Sequence, residues 1–258
     1  MQINDYIIER QGTGFMFDIT DFTEQIDLFK YDNFKPINAT FESIKDLKLS
    51  ELFDTILFRR MVIENLPEFF QIAEIEHTKG GTVGMGVGLE REKILISLLI
   101  DNFGRDIVDT NIPINEAEKD ALLNKDPLSI KTKTGHYLNG VKLIWTTDAE
   151  QVGYFKENYY PSCDMLFAQI VWNDKGGLFL IDVSTQEEIF NDMGRGNYMK
   201  LPKPGNNSRG VEFTSKALDR MLWHKDTKFI EIKWKRRDLN HDPYERWTKI
   251  WKQRRRKL

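Results

Sequence analysis

Glu118-Lys119-Asp120-Ala121-Leu122-Leu123-Asn124-Lys125-Asp126-Pro127-Leu128-Ser129-Ile130-Lys131-Thr132-Lys133-Thr134-Gly135 reads as two short strands joined by a polar turn at Asn124 to Asp126. The second strand alternates Leu128, Ile130 and Thr132 with Ser129, Lys131 and Lys133. Side chains along a strand point to opposite faces in turn, so Ser129, Lys131 and Lys133 share one face. The hairpin brings Asp120 up beside them, at what the local pattern suggests is a sheet edge. A carboxylate next to an ammonium suits metal-assisted cleavage of a phosphodiester. The acid holds a divalent cation, and the cation-bearing side chain neutralises phosphate charge or steadies an attacking water. The same alternation also fits an edge hairpin with a solvated, charged face.

Upstream, Gly88-Leu89-Glu90-Arg91-Glu92-Lys93-Ile94-Leu95-Ile96-Ser97-Leu98-Leu99-Ile100 reads as a helix with acids in its first turn and an apolar body. Glu92 lies on the stripe of Leu89, Leu95, Ile96 and Leu99. An acid facing inward needs a partner, because burying an unpaired charge is costly. A metal, Lys131 or another basic side chain would supply one. Glu90 is read as solvated and favoured by the positive helix end. Glu150, in a later helix, is the alternative acid, and Asp126 is a reserve ligand placed in the turn.

The order of a Gly-x-x-x-Glu helix, an Asp-led strand and a strand ending x-x-Lys resembles the PD-(D/E)xK nuclease core over roughly residues 80–185. Ser129-Ile130-Lys131-Thr132 is similar to the wording of certain type II restriction endonucleases. Where that family usually has Glu or Asp, this chain has Ser129. Some members have a Ser-x-Lys version and recruit the missing carboxylate from a helix. The resemblance implies an α/β fold, with a mixed central sheet flanked by helices, and Mg²⁺ as cofactor. The metal ligands would be Asp120, the Ile130 carbonyl and Glu92, and the catalytic set Asp120, Lys131, Glu92 and Ser129. It further implies double-stranded DNA as substrate, 5′-phosphate ends, a homodimer and a cognate DNA methyltransferase in the same prokaryotic host. A non-catalytic DNA-binding protein on the same fold, with Ser129 marking a decayed site, is the alternative.

At 258 residues and 40% hydrophobic content the chain suits one large domain or a core with additions. No stretch approaches the roughly 18 apolar residues of a membrane span. The start lacks a signal peptide's pattern. Cys163 is the single cysteine, which excludes an internal disulfide and a cysteine-rich zinc site and fits the reducing cytoplasm. Net charge is −3, yet Asp226 to Leu258 holds 12 Lys/Arg against 5 Asp/Glu, leaving 25 against 35 elsewhere. Such a polarised chain can offer a basic face to DNA.

Residues 1–78 read as a helical N-terminal region, and 79–258 as the nuclease-like core with its DNA-contacting loops and tail. In the first part, Phe15 to Tyr31 mixes apolar and acidic residues irregularly. Leu47 to Ile63 has helical spacing, and Pro67 opens a further helix. Lys79 to Gly88 is glycine-rich but lacks the preceding strand of a dinucleotide-binding loop. Lys175-Gly176-Gly177 reads as the turn between two apolar strands. Met193 to Gly210 reads as a long exposed loop, in which Arg195, Asn197, Asn207 and Arg209 are types able to read base edges; Lys133, on the Lys131 face, is a candidate to assist there or to contact a DNA phosphate. Phe229 to Trp234 holds a literal Glu231-x-Lys233, which an alternating strand also generates by chance. In the basic tail, Trp247, Ile250 and Trp251 fall on one helix face, suiting either phosphate contact or packing on the domain. No histidine pair has metal-ligand spacing, and no serine-hydrolase elbow or P-loop is present.

Overall fold

Residues 47–79, 82–84, 86–113, 118–144, 149–201 and 210–255 are described in this computed structural model. The stretch Phe15 to Tyr31, most of the helical region expected over 1–78, and Asn207 and Arg209 lie outside them. From Leu49 the chain is helical. After the single turn α1 (Leu49–Leu52), Thr55 caps α2 (Ile56–Glu76) by accepting the Phe58 N–H at 3.3 Å. The cap explains why the helical spacing over Leu47 to Ile63 is broken near Thr55. Pro67, expected near a helix start, lies instead well inside α2. An interior proline costs about 3 kcal/mol, and burial of Phe58, Val62, Leu66, Phe70 and Ala73 along one face offsets it.

A two-residue ribbon, β1 (Thr78–Lys79) with β2 (Thr82–Val83), leads into α3 (Val87–Phe103). Then β3 (Val108–Asp109), β4 (Ala121–Leu123) and β5 (Asp126–Thr134) pair antiparallel in succession. Asn124 and Lys125 both have positive φ, 51° and 74°. Two central residues of that kind make the primed two-residue turn that matches strand twist. Next, β6 (Lys142–Ile144) leaves the main sheet and α4 (Ala149–Asn158) crosses over. β7 (Asp164–Ile170) returns parallel to β5, and β8 (Lys175–Ile181) runs antiparallel to β7. The chain continues through α5 (Val183–Met193), α6 (Arg195–Tyr198), β9 (Met199–Lys200), β10 (Val211–Phe213), α7 (Ser215–Leu222), β11 (Lys228–Lys233) and α8 (Glu245–Arg255).

The main sheet has the order β11-β8-β7-β5-β4-β3, and a small sheet has the order β6-β10-β9. This is the mixed sheet flanked by helices that the sequence implies. One expectation is corrected: the hairpin is not at the edge, because β7 pairs with β5 along Leu128 to Thr134. That partner arrives some thirty residues later, beyond the reach of a local pattern. One sheet face, with Leu128, Ile130, Ala168, Leu178, Leu180 and Ile230, packs under α2 and α3. The other, with Met165, Phe167, Phe179 and Ile181, packs with residues of α5, α7 and the small sheet.

Two turns also differ from expectation. The β7–β8 connection spans Val171 to Asp174, with Asn173 at φ 67°, and Lys175-Gly176-Gly177 already belongs to β8. The glycines are there for space. A Cβ on Gly177 would press on the Phe229 ring and lie 2.7 Å from the Ile230 carbonyl oxygen. Gly177→Ala is therefore expected to destabilise by about 1–3 kcal/mol through overpacking. A fall in the urea midpoint at unchanged slope would report it, and an unmoved midpoint would contradict it. Met193 to Gly210 is likewise no continuous loop: α6 and β9 occupy its first part, where Tyr198 is fully buried. In α8 no residue is buried, and Trp247 and Trp251 are 57% and 71% exposed. Among the described residues no helix is long and apolar enough to cross a membrane.

Candidate active site

β4 is three residues long, so beyond Leu128 no described strand pairs with β5 on that side. A naked strand edge leaves backbone groups wanting partners. The chain before β4 supplies one. The Asp120 N–H donates to the Leu128 carbonyl at 2.9 Å. Its carboxylate Oδ2 then accepts the Ile130 N–H at 2.6 Å, Lys131 Nζ at 2.9 Å and, more loosely, Ser129 Oγ at 3.4 Å. One oxygen thus caps the edge and holds the ammonium. The N–H and C=O of a strand residue point to the same side. The Ile130 carbonyl therefore lies on this free edge too, next to Asp120. Lys131 and Asp120 are partly buried, with side chains 16% and 21% exposed.

Ser129 is buried. Its hydroxyl faces Asp120, so the position where the resemblance calls for an acid carries a donor to one. Glu92 is half-buried on α3. Its carboxyl is raised to about 7, chiefly by burial and then by the charge of Asp120, against the pull of Lys131 and Lys93. The helix-borne acid and the hairpin's Asp–Lys pair thus act on one another electrostatically.

Glu118, which sequence reasoning did not single out, lies beside the candidate site. Its backbone takes φ 67° two positions before Asp120. Its carboxylate accepts Tyr159 Oη at 2.6 Å and Ser162 Oγ at 3.2 Å. Burial raises it to about 7; Tyr159, Lys131 and Ser162 pull it down, while Asp120 pushes it up. Its partners come from the end of α4 and the segment after it, so no local spacing announces them.

The remaining candidates are dispersed. Glu150 is exposed in the first turn of α4, and Asp126 is exposed at the start of β5. Lys133 shares the Lys131 face and is half-buried. Arg195 is turned inward: its guanidinium donates to the Glu157 carbonyl and to the Tyr159 carbonyl at 3.1 Å. Asn197 Nδ2 donates to the Met193 carbonyl at 2.8 Å. Glu231, on the edge strand β11, pairs with Lys175 at 2.9 Å. Cys163 is no nucleophile, since burial pushes its thiol up to about 12. Among the described residues no three His, Cys, Asp or Glu side chains converge on a metal position. The donors at the Asp120 edge are all oxygen: carboxylate, carbonyl and hydroxyl. Such a set fits a hard cation that keeps several waters, not zinc.

Residues 52–253 match the family model described as restriction endonuclease ThaI. The chain belongs to the ThaI restriction endonuclease family. A solved structure described as a restriction endonuclease in complex with substrate DNA is 41% identical, with a TM-score of 0.74. The match covers 80% of this chain and 99% of that one. No curated protein sequence matches the chain. This ThaI-family enzyme is a site-specific deoxyribonuclease, and its Asp120–Lys131 edge lies within the matched residues.

The two raised carboxyls of the ThaI-family enzyme have a consequence for its metal-free form. Glu92 and Glu118 hold protons up to about 7 when folded, against an ordinary value of 4.5. Between those values the folded state binds more protons than the unfolded one, so these groups make stability fall as pH rises. Their penalty is absent below about 4.5 and complete above about 7. Glu92→Gln removes one share of it. In EDTA the melting temperature of Glu92→Gln minus that of the parent should grow from pH 5 to pH 8. A difference that shrank with pH would contradict the burial of that carboxylate.

Proposed function

We propose that this enzyme is a Mg²⁺-dependent type II restriction endonuclease with a PD-(D/E)xK core, which cuts both strands of duplex DNA at a fixed sequence. The observation that carries this is the Asp120 carboxylate, engaged at once by the Ile130 N–H and the Lys131 ammonium on an unpaired strand edge. Asp120, the Ile130 carbonyl and Glu92 would hold Mg²⁺, which when bound would neutralise phosphate charge and make water a better nucleophile. Glu92 takes the place of the acid that Ser129 lacks. Ser129 itself keeps Asp120 oriented.

Lys131 is held by Asp120 at the mouth of the edge. From there its ammonium steadies the attacking water and meets the negative charge that grows on the phosphate in an in-line displacement. The products carry 5′-phosphate and 3′-hydroxyl ends. Lys133, Asn207 and Arg209 contact DNA, while the side chains of Arg195 and Asn197 are taken up by backbone carbonyls. Two copies act together, one per strand, in a prokaryotic cytoplasm where a cognate methyltransferase protects host DNA.

Supercoiled plasmid incubated with the enzyme tests this reading. Discrete linear fragments with Mg²⁺, intact DNA in EDTA, and ends that ligate without kinase treatment are expected. Cutting that persists in EDTA would remove the metal, and 3′-phosphate ends would remove in-line attack by water at that bond.

A further inference from the structure

Behind the site, three other segments meet on one buried carboxylate of α2. Glu74, in the last turn of α2, is 4% exposed, and so is Arg91 on α3. Glu74 Oε1 accepts from Arg91 Nη2 and from Trp172 Nε1, the latter at 2.8 Å. Its Oε2 accepts from Arg236 Nη2 at 2.5 Å, and the Arg236 guanidinium lies 4.3 Å from the centroid of the Trp172 ring. The other end of Arg91 reaches the sheet: its Nη1 donates to Thr134 Oγ1 at 2.9 Å. Thr134 closes β5, three residues after Lys131. Arg91 immediately precedes Glu92.

Stability alone is a poor reason for such a cluster. Buried ion pairs contribute little net, and apolar replacements of the same volume are often as stable or more so. What the cluster does fix is geometry. Successive residues on a helix are about 100° apart. Pinning Arg91 inward, between Glu74 and Thr134, therefore fixes the direction in which Glu92 leaves α3. It also fixes how far that helix stands from the strand carrying Lys131.

We propose that Arg91, gripped by Glu74 and tied to Thr134, is a positioning residue that aims Glu92 at the Asp120 edge. The proposal rests on the reading of Glu92 as a metal ligand. Its mildest probe is Thr134→Val, which keeps shape and removes only the hydroxyl that joins Arg91 to β5.

In single-turnover cleavage by the full-length enzyme, Thr134→Val should raise the half-saturating Mg²⁺ concentration about tenfold, as loss of an outer partner of a metal ligand does. Thr134→Ser should restore it to within about twofold of the parent, since the hydroxyl returns. DNA affinity in EDTA should stay at the parental value, and the variant should stay folded at the assay temperature although its melting temperature falls, because a buried guanidinium N–H loses its acceptor. In a Glu92→Ala background the Thr134→Val change should add nothing, because a group acting only through Glu92 has no further effect once Glu92 is gone. An unmoved Mg²⁺ requirement in Thr134→Val, or the same shift in both backgrounds, would overturn the proposal. So would an equal loss of DNA affinity in EDTA, which would make Thr134 a DNA contact. Glu92→Ala alone separates the two levels. If it leaves the Mg²⁺ requirement unmoved, Glu92 is no ligand and the proposal goes with it. If it moves the requirement and Thr134→Val does not, only the positioning role is lost.

Discussion

Lys131→Ala should cleave about 10²- to 10⁴-fold more slowly than the parent at saturating Mg²⁺, the span usual for loss of a group that assists proton transfer or meets developing charge. Its DNA affinity in EDTA should change little. Asp120 already holds the ammonium at 2.9 Å in the folded protein, so in the proposed role it would be in place before DNA arrives. A group whose interaction strengthens only in the transition state lowers the rate of the chemical step when lost, with binding preserved. Single-turnover rates on a short duplex, with affinities from a gel shift, separate these. A variant that cuts within tenfold of the parent would take Lys131 out of the site. If Glu231→Ala or Lys233→Ala abolished cutting instead, the chemistry would belong to β11. That outcome is unexpected, because Glu231 is already paired across the strand with Lys175.

A comparable or larger loss, about 10³-fold or more, is expected for Asp120→Asn. Metal charge stabilisation amounts to several kcal/mol, and each 1.36 kcal/mol is a factor of ten in rate. Asparagine keeps the shape and one acceptor, so the Ile130 N–H can still be met. The anionic charge that would hold a cation and that now holds Lys131 is gone. Metal binding to the enzyme–DNA complex, followed by calorimetry with Ca²⁺, should weaken in parallel. Asp120→Asn with near-parental Ca²⁺ affinity would mean that the ligand set lies elsewhere. Glu118→Gln is the informative companion. Both Glu118 oxygens are engaged by hydroxyls, so the amide should leave Ca²⁺ affinity closer to the parent's than Glu92→Gln does.

Much of this site was legible in the sequence because its central parts are close along the chain. Asp120, Ser129, Ile130 and Lys131 are joined by a two-residue turn whose Asn124 suits positive φ, and strand alternation decides which side chains share a face. Helical spacing was a weaker guide for Glu92: it is half-buried, and of the stripe expected to face inward Leu95 and Leu99 are buried while Leu89 is 64% exposed. What escaped depends on distant partners. Glu118 looked like one more acid in a charged run until Tyr159 and Ser162 closed over it. The internal place of β5 depends on β7, and the helix around Pro67 on a face buried against the sheet. Gly176 and Gly177 invited a turn, while the rings of Trp234 and Phe229 above them account for the glycines.

The brevity of β4 makes the site exacting about chain length. Only three residue pairs, Ala121–Leu128, Leu122–Pro127 and Leu123–Asp126, set how the two arms of the hairpin are aligned. A slip of one residue reverses which face every side chain of a strand occupies. One residue added between Asn124 and Lys125 would oppose Asp120 to a different rung of β5, and the carboxylate would meet neither the Ile130 amide nor the Lys131 ammonium. Lineages of this enzyme can thus vary the turn only among residues that accept positive φ, while an insertion or deletion of a single codon there would silence cutting in one step.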